Sequence, residues 1–574
     1  MTMSASTLLV QIACEQYRFG ISDSGETYAV PRDGPRVVVM LRGGKTSLRS
    51  QLAREFFQRN GKTASAQALS DALLVIEGMA QDQKETRLYL RVARGEGAVW
   101  LDLGDDTGRA ARVSPEGWAI EDSAPMLFKR TTLNSPLPEP VRGGSLAELW
   151  SWLNVTEHDR PLVAAWLISV LFCDIPHPVL GIFGEQGTGK TTAEKVLVQL
   201  LDPGPVPTRK PPRDLESWMT AAAASWVVGL DNLSDMPAWL SDSLCRAVTG
   251  DGDVRRKLYT DNELAVFSVR RCIVLNGIDL GALRGDLADR MLPIELHRID
   301  EQHRREEEEY WPEWTKVHPR ILGALLDLAA AVMGVLPAIR LTRKPRMADF
   351  ARILAAVDQI LGTRGMDRFT DKQKSMATDS LTGDPFITAL RNAITDTFTG
   401  TASEILALLT PEEEKGRVPK GWPTTPRQVT QRLKRQAPPM RKAGWDISDD
   451  GGANRDKVVR WTITPPTEAR ESRNQPPQDP QPPQHGRDQH KRTREVRVNR
   501  GSGSGSPQEL DHQPSHPNDS ETAGHEAGAG RAGLTGHPSP PPLAQDESRC
   551  CNGGPTTLAC QLCRRSPTYW QAAS

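Results

Sequence analysis

A glycine-rich run that leads into a helical segment is the feature of the sequence best suited to chemistry. Its spacing is GxxxxGK[ST] without gaps, and its residues are Gly184, Glu185, Gln186, Gly187, Thr188, Gly189, Lys190, Thr191 and Thr192. Glycines allow backbone amides to close around a phosphate, and the N-terminus of the following helix adds partial positive charge. In such a loop Lys190 would contact the β- and γ-phosphates of ATP, and the Thr191 hydroxyl would ligate Mg²⁺. The alternative is an ordinary glycine-rich turn before a helix.

The elements around this run are those that a phosphate-binding loop requires. Residues 179–183 form an apolar, strand-like stretch before the loop, and residues 191–201 have a helical pattern after it. From residue 179 to about residue 296, short apolar strands alternate with helices, which is typical of a parallel α/β sheet. We therefore predict an α/β fold whose core is a P-loop NTPase.

Two later strands end in polar residues that would complete a nucleotide site. The run 226–230 is apolar and ends in Asp231, and the strand 272–275 ends in Asn276. A carboxylate at a strand tip can anchor Mg²⁺, and an amide beside it can orient the attacking water. The alternative for Asp231 is a strand-end carboxylate that caps a turn.

Composition restricts the class of protein. The chain has 574 residues, and its 71 basic and 72 acidic side chains nearly cancel, so any argument for nucleic acid must be local. The longest apolar run, 161–173, is shorter than the ~20 residues of a membrane span. The N-terminus lacks a basic signal region, and the single cysteines at 14, 173, 245 and 272 suit a reducing cytosol. We expect a cytoplasmic protein with no membrane partner and no disulfide framework.

Composition shifts along the chain predict five regions. Residues 1–135 form an α+β domain of unknown role, and residues 145–299 form the P-loop core with its leading helices. Residues 300–380 read as a helical lid, and residues 384–464 as helices followed by a hairpin. Aromatic residues then almost disappear while Pro, Gly and Ser accumulate, so we predict that residues 466–574 are a disordered tail.

Two basic segments could contact nucleic acid. Arg255, Arg256 and Lys257 lie together before a strand-like stretch, where three cations would make strong phosphate contacts that do not depend on sequence. From residue 415 to 442 there are nine basic residues and no acidic ones. A helix starting at Pro426 would carry Arg427, Arg432, Lys434 and Arg435. Such a helix followed by a hairpin predicts a winged helix that docks in a DNA groove, and a protein-contacting winged helix is the alternative.

The C-terminal cysteines are the remaining motif. Cys550, Cys551, Cys560 and Cys563 contain one CxxC knuckle, whereas a zinc ribbon normally has two. They could hold zinc, but with a single knuckle we assign no metal ligand and leave zinc binding open.

Four segments of the chain resemble the AAA+-like ATPases of superfamily 3 helicases. They are GEQGTGKTT, VVGLDNLS, TGDGDVRRKLYTDNE and IVLNGIDLGALRGDLADRMLPIEL. The chain looks similar to the phage- and plasmid-borne helicase–primase type, which is shared with poxviruses and known in bacteria as ATP-binding replication proteins. The likeness continues through a winged-helix-like end to about residue 464.

The resemblance implies roles for several residues. Asn276 would be the sensor asparagine, and Arg290 would be an arginine finger that acts on the neighbouring subunit's ATP in a homo-hexameric ring, with Arg284 as the alternative finger. The hairpin of Arg255–Lys257 would project into the ring pore. Many relatives have a second acid after the Mg²⁺ aspartate, where this chain has Asn232. Either Asn232 positions water without acting as a base, or Glu185 or Asp235 substitutes, and hydrolysis would then be slow.

These observations predict an ATP-dependent DNA motor or helicase that acts on single-stranded or forked DNA in phage- or plasmid-type replication. The first alternative is an ATP-switched DNA-binding initiator or regulator without unwinding activity. A small-molecule kinase is a third possibility, and the basic stretch 415–442 argues against it. No metal-acid cluster supports primase activity in this chain, so a primase would be a separate partner. A GTPase is disfavoured because no Asn-Lys-x-Asp motif occurs.

Overall fold

The computed structural model describes most of the chain before residue 467. The described residues are 3–44, 46–250, 270–277, 285–300, 302, 304–382, 384–410, 422–454 and 457–466, together with the backbone of 252–256 and 264–268. Several predictions lie outside these residues. They concern Lys257, Arg284, the tail from residue 467 onward and the four C-terminal cysteines.

The N-terminal region mixes helices with short antiparallel strands. Its elements are α1 Ala5–Gln16, β1 Tyr17–Ile21, β2 Thr27–Pro31, β3 Val39–Met40, α2 Leu48–Asn60, α3 Ala66–Gln81, β4 Leu88–Tyr89, β5 Val92–Gly95, β6 Ala98–Asp102, β7 Ala110–Ser114, β8 Gly117–Glu121 and β9 Leu127–Phe128. Strands β1–β3 form one sheet and β5–β8 another. The turn between β5 and β6 needs left-handed backbone at Glu96 (φ 54°) and Gly97 (φ 73°), as expected for a tight hairpin.

The central region is a parallel sheet covered by helices, as the alternating pattern predicts. After two short 3-10 helices, its elements are α4 Arg160–Val170, β10 Val179–Phe183, α5 Lys190–Leu201, β11 Thr208–Arg209, α6 Leu215–Ala224, β12 Val227–Leu230, α7 Ala238–Thr249, β13 Gly252–Arg256, β14 Leu264–Ser268, β15 Cys272–Asn276, α8 Gly285–Ala288 and β16 Met291–Glu295. The strand order is β11-β12-β15-β10-β16, with every pair parallel. Strand β15 therefore lies between the strand before the phosphate loop and the strand before Asp231.

Strands β13 and β14 form an antiparallel hairpin beside this sheet. Arg255 pairs with Ala265, and Arg256 pairs with Leu264 at the end of the paired stretch. Both arginines therefore lie on β13, the first strand of the hairpin. The second strand, β14, precedes β15, which ends in Asn276.

The helices after the sheet belong to the same core. They are α9 Glu307–Val335, α10 Ala348–Leu361 and α11 Gly365–Thr382. By length and composition alone, α9 could cross a membrane, but most of its apolar stretch is buried within the protein. It packs against α4, α10 and strands β7 and β8, so it serves as a core helix. The apolar run in α4 is likewise fully buried.

The last region has a hydrophobic core of its own, which includes Phe386, Leu433 and Trp461. Its elements are α12 Pro385–Ala393, β17 Phe398–Thr401, α13 Ala402–Leu409, α14 Pro426–Lys442, β18 Asp446–Asp449 and β19 Arg460–Thr464. The basic helix begins at Pro426 as predicted. The sheet has three strands in the order β17-β19-β18, so the predicted hairpin gains β17 as a third strand.

Packing is continuous across residue 135, the predicted end of the first domain. Val99, Leu101 and Val113 of the N-terminal sheet share one hydrophobic core with the parallel sheet and α9. The Arg91 guanidinium forms a buried ion pair with Asp202 at 2.9 Å, and Trp118 donates a hydrogen bond to Asp327 at 2.8 Å. The predicted boundary thus divides the chain at a point where the two sides pack together.

Candidate active site

The phosphate loop connects the carboxyl end of β10 to the first turn of α5. Gly187 (φ 83°) and Gly189 (φ 79°) have left-handed backbone that a larger residue would strain. A side chain at Gly184 would begin only 2.8 Å from Thr188 Oγ1. Thr188 is itself buried and donates to the Glu185 carbonyl at 2.9 Å, which fixes the turn. The loop is therefore a fixed turn whose backbone conformation depends on its glycines, while Gln186 is exposed at its tip and Thr192 follows in α5.

Lys190 lies folded over this loop. Its Nζ donates to the carbonyls of Gly184 and Glu185, both at 2.7 Å. Partial burial lowers the pKa of the Lys190 ammonium from its usual value. A phosphate held by the loop amides would be a stronger acceptor than either carbonyl, because hydrogen bonds between charged groups are the stronger kind.

Thr191 and Asp231, the two predicted Mg²⁺ ligands, are in contact. The Thr191 hydroxyl donates to Asp231 Oδ1 at 2.8 Å across the edge of the sheet. Among the described residues no cluster of three His, Cys, Asp or Glu side chains could hold a metal alone. A hydroxyl and a carboxylate in contact could hold Mg²⁺, which commonly takes one or two protein ligands and completes its shell with water and substrate phosphates.

Asn276 joins the same cluster, because β15 lies between β10 and β12. Its Nδ2 donates to Asp231 Oδ1 at 2.8 Å and also to Glu194. Its Oδ1 accepts from the backbone N–H of Asn232 at 2.9 Å, so both ends of the amide are fixed. The side chain is 2% exposed. Asn276 therefore connects the side chains of Asp231 and Glu194 to the backbone of Asn232.

Glu194 is a member of the cluster that sequence reasoning missed. It lies one turn after Lys190 on α5 and is completely buried, and its Oε1 has no hydrogen-bond partner among the described residues. Burial, reinforced by the negative charge of Asp231, raises the pKa of Glu194 well above its usual value. A side chain at Gly229 would begin 2.6 Å from Oε1, so glycine makes the room for this carboxyl. The available signal was the helical spacing, which places Glu194 on the same face of α5 as the apolar Leu197, Val198 and Leu201.

The residue at the expected second-acid position, Asn232, is exposed and strained. Its φ of 59° is left-handed, a conformation that asparagine tolerates better than most residues. Asp235 and Glu185 are the two acids that could substitute. The Asp235 carboxylate accepts a hydrogen bond from the backbone N–H of Met236, and Glu185 is exposed on the loop. Among the described residues, neither the Asp235 nor the Glu185 side chain forms a hydrogen bond with Asp231 or Asn276. The described site thus contains one exposed amide, and no carboxylate, directly after Asp231.

Arg290 lies at the amino ends of the parallel strands, just before β16, whereas the phosphate loop lies at their carboxyl ends, after β10. Its carbonyl accepts from the N–H of Val179, at the start of β10, and the loop begins one strand length away, about 16 Å for five residues. The guanidinium is 12% exposed and pairs with Asp286 at 3.0 Å. Arg346 bridges Asp286 and Asp289, and Lys442 of α14 also pairs with Asp289. Within one chain, Arg290 and Lys190 therefore do not meet.

A second cation that the sequence analysis did not select approaches the loop. A side chain at Gly187 would begin 3.6 Å from Nη2 of Arg304, and one at Gly189 would begin 3.1 Å from Ile299. The segment after β16 thus passes over the phosphate loop and brings an exposed guanidinium to it.

The basic face of α14 is only partly free. Arg427, Lys434 and Arg435 are exposed, while Val429 and Leu433 are fully buried as predicted. Arg432 instead turns toward Asp384, which it contacts through Nε at 2.9 Å and Nη2 at 2.8 Å. Asp384 is 6% exposed, so Arg432 neutralises a buried carboxylate. Arg432 was predicted to present its charge together with Arg427, Lys434 and Arg435, but its guanidinium pairs with Asp384 instead.

Two models of one protein family match consecutive stretches of the chain. Residues 147–379 match a family model described as "Actinomycete integrative conjugative element replication protein", and residues 386–479 match the model "AICE RepA C-terminal domain". Together the two stretches cover more than half of the chain. No curated protein matches it at a significant level.

Two solved structures resemble the chain at low similarity. The apo C-terminal region of NrS-1 is 12% identical with a TM-score of 0.37, covering 81% of this chain and 100% of that one. The structure described as "SCCmec type IV Cch - active helicase" is 12% identical with a TM-score of 0.38, covering 78% and 93%. Both scores are too low to carry a comparison of sites.

Proposed function

We propose that this chain, which belongs to the replication proteins of actinomycete integrative conjugative elements, is a Mg²⁺-dependent ATPase that drives movement along DNA. The observation that carries the proposal is the cluster of Lys190, Thr191, Asp231 and Asn276 at one edge of a parallel sheet, beside a glycine-rich loop. Three strands that are far apart in sequence bring these groups together, which an ordinary glycine turn would not require.

The chemistry follows from the positions of these groups. The loop amides and Lys190 would bind the β- and γ-phosphates, and Thr191 and Asp231 would hold Mg²⁺, which neutralises developing charge on the phosphates. Asn276 would orient the attacking water, or read the state of Asp231, from its place between Asp231 and Glu194. Most of the catalysis would be electrostatic positioning in a partly buried site.

Coupling to DNA would use the hairpin of β13 and β14 and the exposed face of α14. The hairpin carries Arg255 and Arg256 on its first strand, β13, and its second strand, β14, precedes β15, so a shift of β15 could reach the arginines through β14. A ring of six subunits, with Arg290 completing a neighbour's site, remains part of the proposal.

The test is ATP hydrolysis and unwinding of a forked duplex by Lys190→Ala. We expect turnover to fall about 100-fold or more, because the lost cation contacts the transferring phosphate, while thermal stability stays unchanged. The matched control is Lys195→Ala on the same helix, since Lys195 pairs with Glu307 at 3.7 Å, away from the loop. Normal turnover in Lys190→Ala would remove the proposed site.

A second function is favoured by Asn232. A site without a second acid hydrolyses ATP slowly, and ATP binding could then control assembly of a DNA-binding initiator that does not separate strands. Unwinding of the fork with ATP, but not without it, supports the motor. ATP-dependent DNA binding with no unwinding supports the switch.

A further inference from the structure

A concave cavity of about 1060 Å³ opens in the N-terminal region, outside the residues that the family models match. One wall is formed by β1, β2 and the turn at residues 31–36. The other wall is formed by the loop at residues 105–109 and by residues 122–127. Nothing in the candidate active site uses these residues.

Three arginines give this cavity its chemistry. Arg18, Arg32 and Arg36 line it and are exposed, and none takes part in an ion pair recorded among the described residues. Arg32 Nε donates to the Cys14 carbonyl at 2.9 Å, and Arg36 Nη1 donates to the Ala124 carbonyl at 3.3 Å. Each contact uses one of the five N–H groups of a guanidinium, so most donors stay available while the side chain is held in place.

The fourth arginine of the cavity is different. Arg109 pairs with Asp105 at 2.9 Å and with Glu139 at 2.8 Å, so its charge is balanced within the protein. The unbalanced cations are therefore confined to the wall formed by β1 and the turn after β2. This distribution favours a ligand with several anionic groups along one side.

The remaining lining fits the non-phosphate part of a nucleotide chain. Tyr28, Val30 and Leu127 form the apolar part of the lining, and Val30 pairs with Arg18 across β1 and β2 on the same face. Asp106 and Asp122 also line the cavity, where a carboxylate can accept a hydrogen bond from a base amino group. A purely anionic small molecule would be repelled by these two carboxylates.

We propose that this cavity binds single-stranded DNA, with the phosphates on Arg18, Arg32 and Arg36 and the bases toward Asp106 and Asp122. The cavity is at the upper limit of the ~300–1,000 Å³ that encloses a small ligand, so a chain that continues beyond it fits better. A duplex presents its phosphates on a convex surface and would not enter the concave wall. The proposal is independent of ATP hydrolysis, because the site shares no residue with the phosphate loop.

The test measures binding of a short fluorescein-labelled oligo(dC) to the full-length protein, without nucleotide, at several salt concentrations. The triple variant Arg18→Gln/Arg32→Gln/Arg36→Gln should flatten the slope of log affinity against log salt by about 2, at ~0.7 for each lost contact with a single strand. The control Arg49→Gln/Arg54→Gln/Lys62→Gln removes the same charge from exposed positions outside the cavity and should change the slope less.

Two further measurements keep the outcome clear. The triple lysine variant at the same three positions retains the charge and should keep the slope, even if the glutamine variant folds poorly. Ultraviolet crosslinking of bound oligo(dC), followed by peptide mass spectrometry, should recover peptides from the two cavity walls, residues 18–36 and 106–127. Equal slopes in the cavity and control variants, or crosslinks confined to residues after 145, would overturn the proposal. A preference for duplex of the same sequence would also overturn it. Loss of ATPase activity in Lys190→Ala would leave this result unaffected.

Discussion

Glu194 is the residue of the candidate site whose protonation state can be tested directly, through the pH dependence of stability. Its pKa is raised well above 4.5 by burial and by Asp231. Below pH 4.5 the folded and unfolded states both hold the proton. As pH rises above that value only the unfolded state releases it, so stability falls until the pH exceeds the raised folded pKa.

Glu194→Gln should therefore change stability in a pH-dependent way. The amide cannot ionise, so the variant should melt at a higher temperature than the wild type at pH 8, and the difference should vanish toward pH 4. Its ATPase rate should stay within several-fold of wild type, whereas Glu194→Ala should lose more because Asn276 loses an acceptor. Melting curves of both variants and of the exposed control Glu185→Gln give the comparison. A difference that is constant with pH would contradict the raised pKa.

At the same scale, sequence reasoning placed the local groups and missed the buried ones. Short motifs next to strands predicted the phosphate loop, Lys190, Thr191 and Asp231, because each motif lies within a few consecutive residues. Glu194 was missed because burial of a carboxyl depends on Gly229 and Asn276, which belong to other strands. The pairing of Arg432 was missed for a similar reason, since its partner Asp384 is on another helix.

At the scale of elements, α14 offers a matched pair of experiments on one helix. Removing charge at the exposed Arg427, Lys434 and Arg435 should weaken DNA binding and flatten the salt slope by about 0.7–0.9 for each phosphate contact, with little effect on stability. Arg432→Gln should instead lower the free energy of unfolding by about 2 kcal/mol, since the buried Asp384 would lose its ion-pair partner, while the neutral donors Gln436 and the N–H of Phe386 remain.

Two measurements on each variant, DNA affinity at several salt concentrations and denaturant unfolding, separate these outcomes. Unchanged salt slopes in the triple variant would indicate that this helix contacts protein. A slope change in Arg432→Gln without loss of stability would show that its pairing with Asp384 is not maintained in solution.

The order of elements was easier to predict than their pairing. The alternation of strands and helices predicted a parallel sheet, and Pro426, a residue that suits the first position of a helix, predicted the start of α14. The position of β15 between β10 and β12, which brings Asn276 to Asp231, is a long-range pairing that periodicity cannot reveal. Strand β17 was missed because it has four residues, Phe398–Thr401, and is recognisable only through its partner β19.

At the scale of the whole molecule, the N-terminal sheet and the parallel sheet should unfold together. They share one core, and the buried pair of Arg91 and Asp202 joins them, with Asp202 also accepting the N–H groups of Trp226 and Val227. Arg91→Ala would leave that carboxylate buried and unpaired, at a cost of about 3–5 kcal/mol. Both tryptophan fluorescence and ATP binding should lose their signals at the same, lower denaturant concentration.

The control is Arg94→Ala, which breaks an exposed pair with Asp174 and should change stability by less than about 1 kcal/mol. If ATP binding survived after the N-terminal region had unfolded in the Arg91 variant, the two sheets would be independent. A fragment that starts at residue 145 would then be expected to fold alone.

Assembly is the last property that a single chain cannot show, and Arg290 provides the test. In one chain the backbone of Arg290 lies a strand length from the loop and its guanidinium pairs with Asp286, so we expect any action on ATP to come from a neighbour. Arg290→Ala should lower ATPase activity while ATP binding stays intact. Mixing it with Lys190→Ala should restore activity at interfaces where one subunit supplies the lysine and the other the arginine.

The structural role of Arg290 must be separated from that action, since its pairing with Asp286 belongs to a network that includes Arg346 and Lys442. Arg346→Ala disturbs the same network and serves as the matched control. If loss of the network alone explained the effect, Arg346→Ala would be equally inactive and mixing would restore nothing. Recovery in the mixture of the Arg290 and Lys190 variants, with an active Arg346 variant, would require that subunits share their sites.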